Sequence, residues 1–350
     1  MSEELKNKNF NKAKSAKKDE FYTQLSDIEQ ELRHYKKHFR DKVVYCNCDD
    51  PRVSNFFHYF SYNFEKLGLK RLIATCYKNK SMDLFSTHDI EQAIYLDYQG
   101  DKNGNMVPDP EEIGIVPLKG DGDFRSKESI ELLKEADIVV TNPPFSLFRE
   151  YVAQLLEYDK KFLIIGNGNS ITYKEIFKGI QDDKFWLGAT KPRLFLIDNK
   201  EAFAKYCSDD NKEVINGKEY WAVNISVGTP TYWFTNLDLK KRHEDIILYK
   251  TYKGNEEDYP KYVNYDAIEV GKVKDIPVDY DGEMGVPITF LDKYNPSQFE
   301  IIGSSLTLGE SMKTIAAKGT YSAGGPRFYL DKGDGTYRRL YDRIVIKKRS

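Results

Sequence analysis

The chain has 350 residues, a net charge of −2, 40% hydrophobic and 31% charged residues, which suits one large or two modest domains and excludes a disordered chain. No apolar run approaches the roughly 20 residues of a membrane span, the first twenty residues lack the apolar core of a secretory signal, and near-neutral charge excludes a uniformly basic nucleic-acid coat. Cys46, Cys48, Cys76 and Cys207 are too few for a disulfide scaffold and predict a reduced, cytoplasmic setting.

In chain order, residues 1–18 carry six lysines against Glu3 and Glu4 and predict a basic arm. From Ser26, SDIEQELRHYKKHF predicts a helix opened by a Ser26–Glu29 capping box. Residues 42–48 predict a buried strand, 54–68 an aromatic-rich helix ending at a glycine, and 70–77 a second strand. QGDKNGNMVPDP, from Gln99 to Pro110, is turn chemistry and predicts a surface loop. A helix (127–136), strand (137–142), helix (146–158), strand (161–167) and helix (172–180) follow. Residues 184–189 and 231–237 predict further strands, and 191–228 has room for a strand or hairpin. This alternation predicts an α/β fold with a doubly wound, mostly parallel sheet over residues 19–240. After about residue 240 helical periodicity is lost. Strand-like pieces at 286–291, 299–304 and 343–348 predict a second region over 241–350.

The strongest chemical signal is Asn142-Pro143-Pro144-Phe145, between an apolar strand and a helix. Two prolines fix φ and remove donors, so the turn is rigid and its carbonyls are available. The Asn142 oxygen and a proline carbonyl can both accept from one planar amino group, while the Phe145 ring stacks on the plane that carries it. The position also fits, because doubly wound sheets bind ligands beyond the carboxyl ends of their strands.

With these residues in view, the sequence resembles the EcoRI-type adenine-specific DNA methyltransferases, which use S-adenosylmethionine. The resemblance runs from about residue 10 to the C-terminus. Lys18-Asp19-Glu20-Phe21-Tyr22-Thr23 resembles the element that closes over the cofactor. Val44-Tyr45-Cys46-Asn47-Cys48-Asp49-Asp50-Pro51 sits where the first cofactor-binding strand ends. Asp123-Phe124 resembles the pair that holds the cofactor's adenine. Tyr232 to Leu237, Gly285 to Leu291 and Tyr294-Asn295-Pro296 resemble the narrower family. The resemblance implies a Rossmann-like methyltransferase fold with a C-terminal target-recognition region. It also implies cofactor contacts from Phe21, Tyr22, Thr23, Asn47, Asp49, Asp50, Asp123 and Phe124. Two departures stand out. Residues 46–57 contain no glycine where the family's first loop is glycine-rich, so Asn47, Asp49, Asp50 or Ser54 takes that role. The second strand ends Ala74-Thr75-Cys76-Tyr77-Lys78 without the acidic residue that would bind the ribose, leaving Tyr77 as a packing partner for the adenine.

The implied reaction is direct methyl transfer to adenine N6, with catalytic roles for Asn142, Pro143, Pro144 and Phe145. Duplex DNA hides N6, so the adenine must be flipped out, at a cost of a few kcal/mol. Residues 327–349 hold eight Lys/Arg against three Asp. There Arg338, Arg339, Lys347 and Lys348 are candidate phosphate contacts, set against the alternative of a charged, solvated edge strand. Lys240-Lys241-Arg242-His243 is a second basic cluster, a hinge or DNA contact, and Ser322-Ala323-Gly324-Gly325-Pro326 is a turn that could approach a backbone. The expected partners are double-stranded DNA and, unless the enzyme is a solitary or phage-borne one, a restriction endonuclease acting on the same site, with no membrane. RNA adenine or protein glutamine is the alternative substrate, because Asn-Pro-Pro-aromatic sites serve those too. A non-enzymatic DNA-binding protein on a decayed fold is the third reading.

Other signals are read as structural. Cys46 with Cys48 has no matching second pair, and His34 with His38 lies in a charged helix, so no metal is expected. Gly166-Asn167-Gly168-Asn169 lacks a P-loop Lys-Ser/Thr and is read as a turn facing the active site. Gly120-Asp121-Gly122 is read as a turn that lets Asp123 reach the cofactor.

Overall fold

A computed structural model describes residues 22–48, 54–75, 93–105, 107–109, 111–197, 200–201, 204, 207–215, 217–224 and 230–349. The basic arm, Phe21, Asp49, Asp50, Tyr77 and Lys78 lie outside them. The chain divides into two units, residues 1–176 with 185–238, and residues 177–184 with 239–350.

In the first unit, β1 (Tyr22–Thr23) leads into α1 (Leu25–Leu32). The helix starts after Gln24, which makes no side-chain cap, and the expected Ser26–Glu29 box does not open it. Its hold is long-range. Asp27 accepts from the backbone N–H of Arg193 and Leu194 at 2.7 and 2.8 Å. The buried Glu31 carboxylate accepts from Tyr35 Oη, Ala189 N, Thr190 N and Thr190 Oγ1 at 2.6–2.8 Å. Two carboxylates on one helix face thus fix the helix to the 188–194 loop, which overrides the local box.

The buried, β-branched run of β2 (Val43–Cys46) is followed by α2 (Asn55–Tyr62), α3 (Phe64–Leu67) and β3 (Arg71–Thr75). The single helix expected over 54–68 is broken at Asn63, whose side-chain amide donates to the Tyr59 carbonyl at 2.8 Å, a local bond that competes with the helix ladder. Gly68 ends α3 at φ +65°, as a left-handed cap. Next come β4 (Ile94–Tyr98), β5 (Gly114–Pro117), α4 (Lys127–Glu135) and β6 (Ile138–Thr141). They are followed by α5 (Phe148–Glu157), β7 (Lys161–Asn167), α6 (Lys174–Gln181), most of which belongs to the second unit, and β8 (Trp186–Leu187). Ser126 caps α4 by accepting from Ser129 N. The room within 191–228 is filled by β9 (Leu194–Ile197), β10 (Lys212–Ile215) and β11 (Lys218–Asn224), which with β1 form a sheet in the order β1-β9-β11-β10.

With β12 (Thr231–Thr235), the main sheet runs β5-β4-β3-β2-β6-β7-β12-β8. Only its four central strands are parallel; β4, β5, β12 and β8 pair antiparallel. The expected mostly parallel sheet is therefore a mixed one. The β4–β5 hairpin and the returning β12 need no crossover helix, so each edge closes antiparallel. From β2 the chain builds outward to β3, then continues on the other side of β2 with β6 and β7. The order therefore reverses between β2 and β6.

In the second unit, β13 (Ile268–Glu269), β14 (Met284–Pro287), β15 (Phe299–Ser304) and β18 (Arg343–Lys348) form a sheet in the order β13-β14-β18-β15. The last two coincide with the expected runs 299–304 and 343–348. The strand expected at 286–291 stops at Pro287 and becomes a 3₁₀ helix, Ile288–Lys293, since proline has no N–H to extend a ladder. A hairpin of β16 (Tyr329–Asp331) and β17 (Tyr337–Arg339) adds Leu330 to a core with Tyr262, Ala267, Phe328, Leu340 and Val345. Arg343 binds Glu269 through Nε at 3.0 Å and Nη2 at 2.7 Å, joining β18 to β13. Among the described residues no helix is long and apolar enough to cross a membrane.

Candidate active site

The four residues of the Asn-Pro-Pro-Phe turn follow β6 directly. Asn142 and Pro143 are buried, and Pro144 and Phe145 are half-buried. Pro144 opens a 3₁₀ turn, Phe145–Leu147, and its carbonyl accepts from Leu147 N at 2.9 Å. That carbonyl is therefore engaged inside the turn.

β2 lies beside β6 in parallel register, with Tyr45 opposite Val139. Asn47 thus leaves its strand next to Thr141 and Asn142. Thr141 Oγ1 donates to the Asn47 carbonyl, and Tyr151 Oη from α5 donates to the Asn47 side-chain oxygen. Burial, aided by the neighbouring Cys48, pushes the Tyr151 phenol well above its ordinary value, so it stays a donor. Next to Asn47, Cys48 adopts φ +77°. This is the left-handed conformation that glycine supplies without strain. The glycine-less loop keeps a glycine-like backbone at one residue.

The Phe124 ring meets Tyr151 edge-on at 5.0 Å, and its carbonyl accepts from Gln154 at 3.0 Å. α5 therefore holds both Asn47 and Phe124. Arg125 clamps Asp123 through Nε at 2.9 Å and Nη2 at 2.7 Å, and reaches Glu150 at 3.1 Å. Burial raises the Asp123 carboxyl, but the Arg125 hydrogen bonds and charge outweigh it and hold Asp123 below its ordinary value. The preceding Gly120 turn binds Glu128, through Lys119 N and Gly120 N at 2.9 and 3.1 Å.

Tyr22 and Thr23 are buried, and the Thr23 carbonyl accepts from Asn55 at the start of α2 at 2.8 Å. Thr23 Oγ1 is buried with no hydrogen-bond partner among the described residues. The structure thus brings Asn47, Asp123, Phe124 and Asn142 into one connected set around α5, and ties Thr23 to the helix that follows Asn47. Tyr151 and Arg125 join this set through their hydrogen bonds and were not singled out in the sequence. Tyr151 had a signal, since Phe148, Tyr151, Val152 and Leu155 recur on the buried face of α5.

The turn expected at 166–169 is instead the end of β7, beside β6, followed by a 3₁₀ helix, Gly168–Thr172. Its glycines are steric: a Cβ on Gly166 would lie 2.6 Å from Phe148, and one on Gly168 would lie 2.5 Å from the Pro230 carbonyl. Among the described residues no three His, Cys, Asp or Glu side chains are grouped to hold a metal ion.

In the second unit, Arg338 and Lys347 are exposed. Arg339 and Lys348 are partly buried and engaged, with Arg339 Nη2 on the Gly325 carbonyl at 3.1 Å and Lys348 on the Val278 carbonyl and Asp281. Tyr341 is 90% exposed. A Cβ on Gly324 would lie 2.9 Å from the Arg339 guanidinium, so that turn accommodates the chain's own arginine. Arg242, expected as a hinge or DNA contact, is 7% exposed and paired with Asp183. Its basic neighbours Lys240 and His243 are exposed.

Comparison with known proteins gives a consistent result. Residues 9–349 match the family described as adenine-specific methyltransferase EcoRI. The chain is 51% identical over 325 residues to the type II methyltransferase M.EcoRI of Escherichia coli, covering 92% of this chain and 96% of that protein. It is 38% identical over 346 residues to the type II methyltransferase M.MgeORF184P of Mycoplasma genitalium, covering 97% and 98%. It is also 38% identical over 340 residues to the type II methyltransferase M.MpnI of Mycoplasma pneumoniae, again covering 97% and 98%. No solved structure matches significantly.

Proposed function

The chain belongs to the EcoRI family of adenine-specific methyltransferases, and from that premise we propose that it methylates the N6 amino group of an adenine flipped out of double-stranded DNA, as the modification enzyme of a restriction-modification system. It is an adenine-specific DNA methyltransferase. The observation that carries the finer reading is the position of the Asn142–Phe145 turn. It stands beyond the carboxyl ends of β2 and β6, where the strand order reverses, and such a switch point is where open α/β sheets bind ligands. The parallel order β3-β2-β6-β7 likewise supports a Rossmann-like, doubly wound methyltransferase core.

The cofactor would be S-adenosylmethionine, which when bound supplies the electrophilic methyl group. The residues around Asn47 fit such a molecule. Phe124 offers an aromatic wall. The Asp123 carboxylate gives only part of its acceptor capacity to Arg125, leaving room for hydroxyl or amino donors. Thr23 Oγ1 is a buried polar atom with no partner among the described residues. Tyr22, Thr23, Asn47, Asp123 and Phe124 would hold the cofactor, with Phe21, Asp49 and Asp50 completing the set.

Adenine N6 is a weak nucleophile because its lone pair is delocalised into the ring. The Asn142 side-chain oxygen and the Pro143 carbonyl would accept its two hydrogens, which localises the pair and aims it. Pro144 fixes the turn, its own carbonyl being used by Leu147. Phe145 would stack on the flipped base, worth roughly 1–3 kcal/mol. Orientation and preorganised dipoles supply the rate. Residues 241–350 would read the target, with Arg338, Arg339, Lys347 and Lys348 as phosphate contacts. A cytoplasmic location follows from a DNA substrate.

Single-molecule sequencing of plasmid DNA from cells expressing the protein tests this reading, with Asn142→Ala as control. We expect N6-methyladenine at one short motif, absent in the control. Modified adenine in the Asn142→Ala sample would reject the catalytic assignment. Unmodified DNA in both would move the substrate to RNA or protein.

A further inference from the structure

The β4–β5 connection carries a pattern of oxygen ligands unrelated to the Asn142 turn. Asp101, Asn103, Asn105, Asp109 and Glu112 stand at the first, third, fifth, ninth and twelfth places of one stretch, and Val107 holds the seventh. This is the ligand spacing of a twelve-residue EF-hand calcium loop, in which the seventh place acts through its backbone carbonyl. Two features depart from that loop. The glycine with positive φ is Gly104, at the fourth place and φ +79°, and the flanking elements are strands.

The spacing alone would not identify a site. A second observation comes from Glu112, which is 6% exposed. Its Oε1 accepts from the backbone N–H of Lys102 and Asn103 at 2.6 and 3.1 Å, so the carboxylate reaches across into the start of the loop. Its Oε2 is buried there with no hydrogen-bond partner among the described residues. Leaving such a buried atom unsatisfied is unfavourable, the more so when it is charged. Asp109 faces the same space, accepting from the side-chain amides of Asn103 and Asn105 at 2.6 and 3.3 Å. Tyr98, at the end of β4, has its phenol pushed up to about 12, first by burial and then by the charges of Glu112, Asp101, Glu65 and Asp109.

We propose that this loop binds a calcium ion. The ligands would be the carboxylates of Asp101, Asp109 and Glu112, the amide oxygens of Asn103 and Asn105, and the Val107 carbonyl. Six hard oxygens, seven if Glu112 is bidentate, on an irregular loop match calcium better than the strict octahedron of magnesium. The described carboxylates do not stand together as a finished three-carboxylate cluster. Binding would therefore turn the Asn103 and Asn105 amides, whose oxygens now accept from Asn105 N and Val107 N at 3.0 and 2.8 Å, so that those oxygens face the ion. Tyr98 pairs with Leu72 at the start of β3, so the loop lies beside the amino ends of the parallel strands, whereas Asn142 follows the carboxyl end of β6. The ion would brace the sheet edge and take no part in methyl transfer.

The test uses the full chain, freed of metal with a chelator, then titrated with calcium chloride in a calorimeter and melted with and without it. We expect one saturable site and a Tm raised by a few degrees. Asp101→Asn keeps the Oδ1 that accepts from Gly104 N, and Asn105 is exposed. Asp101→Asn and Asn105→Ala should therefore each still fold, weaken calcium at least about tenfold and shrink the rise in Tm that calcium gives. Glu112→Gln should abolish binding; if it fails to fold, the first two variants still decide. No heat and no Tm shift at about 10 mM calcium would overturn the proposal. So would unchanged affinity in both surface variants, or magnesium binding as tightly as calcium.

Discussion

Tyr151 donates its hydroxyl to the side-chain oxygen of Asn47, 104 residues earlier in the chain. That one bond locks the helix after the Asn142–Phe145 turn to the end of the neighbouring strand. Both residues are buried, so loss of the hydroxyl leaves an acceptor without its donor.

Tyr151→Phe should therefore destabilise the protein by about 1–3 kcal/mol. The variant should also bind S-adenosylmethionine more weakly, because Asn47 and Phe124 are both held by α5. Thermal unfolding and calorimetry read the two effects. A variant with wild-type Tm and wild-type affinity would show that the hydroxyl is dispensable.

Asp123 gives a pH prediction. Arg125 holds its carboxyl below the ordinary aspartate value of about 3.9 in the folded chain. A depressed folded value stabilises the protein above the unfolded value, and that stability is lost as pH falls through the folded one. The stability gap between wild type and Asp123→Asn should thus be full at neutral pH and close below about pH 4. Urea midpoints across pH 2.5–7, to be measured over roughly this range, would show it. A gap that stays constant to the lowest pH would refute the Arg125 pairing.

Cys48 tests the glycine-less loop. A non-glycine residue in the left-handed region costs roughly 1–2 kcal/mol, and a β-branched one costs more. Cys48→Gly should keep methylation with a Tm at or above wild type. Cys48→Val should lose stability by more than about 1 kcal/mol. Equal behaviour of the two variants would mean that the backbone at residue 48 is not constrained.

The four basic residues proposed for DNA contact should divide into two classes. Arg338 and Lys347 are exposed, and each releases about one counterion on meeting a phosphate. Alanine at either should flatten the salt slope of DNA binding by about 0.9 with little change in Tm. Arg339 and Lys348 bind carbonyls of their own unit, so alanine there should lower Tm as well. An unchanged slope in the Arg338→Ala, Lys347→Ala double variant would show that both cations are only solvated; the edge strand expected for the tail is not found, since β18 is paired on both sides by β14 and β15.

What the sequence by itself determined was local. The strands 299–304 and 343–348 and the helix beginning at Lys127 follow from apolar periodicity and capping, which act over a few residues. Asn142-Pro143-Pro144-Phe145 was legible for the same reason, because proline's fixed φ and missing N–H define the turn without help from the rest of the chain. Tertiary structure decided the rest. It set α1 by Asp27 and Glu31 reaching residues 189–194, not by the Ser26–Glu29 box. It closed the sheet with antiparallel edges, buried Arg242 against Asp183, and gave Cys48 a glycine's backbone. It also joined Asn47 to Tyr151, and placed the Glu112 carboxylate inside a loop that the sequence read only as turns. Each of these depends on which distant segments become neighbours. A buried polar group takes its partner from whatever the fold brings within about 3 Å, and no local pattern records that choice.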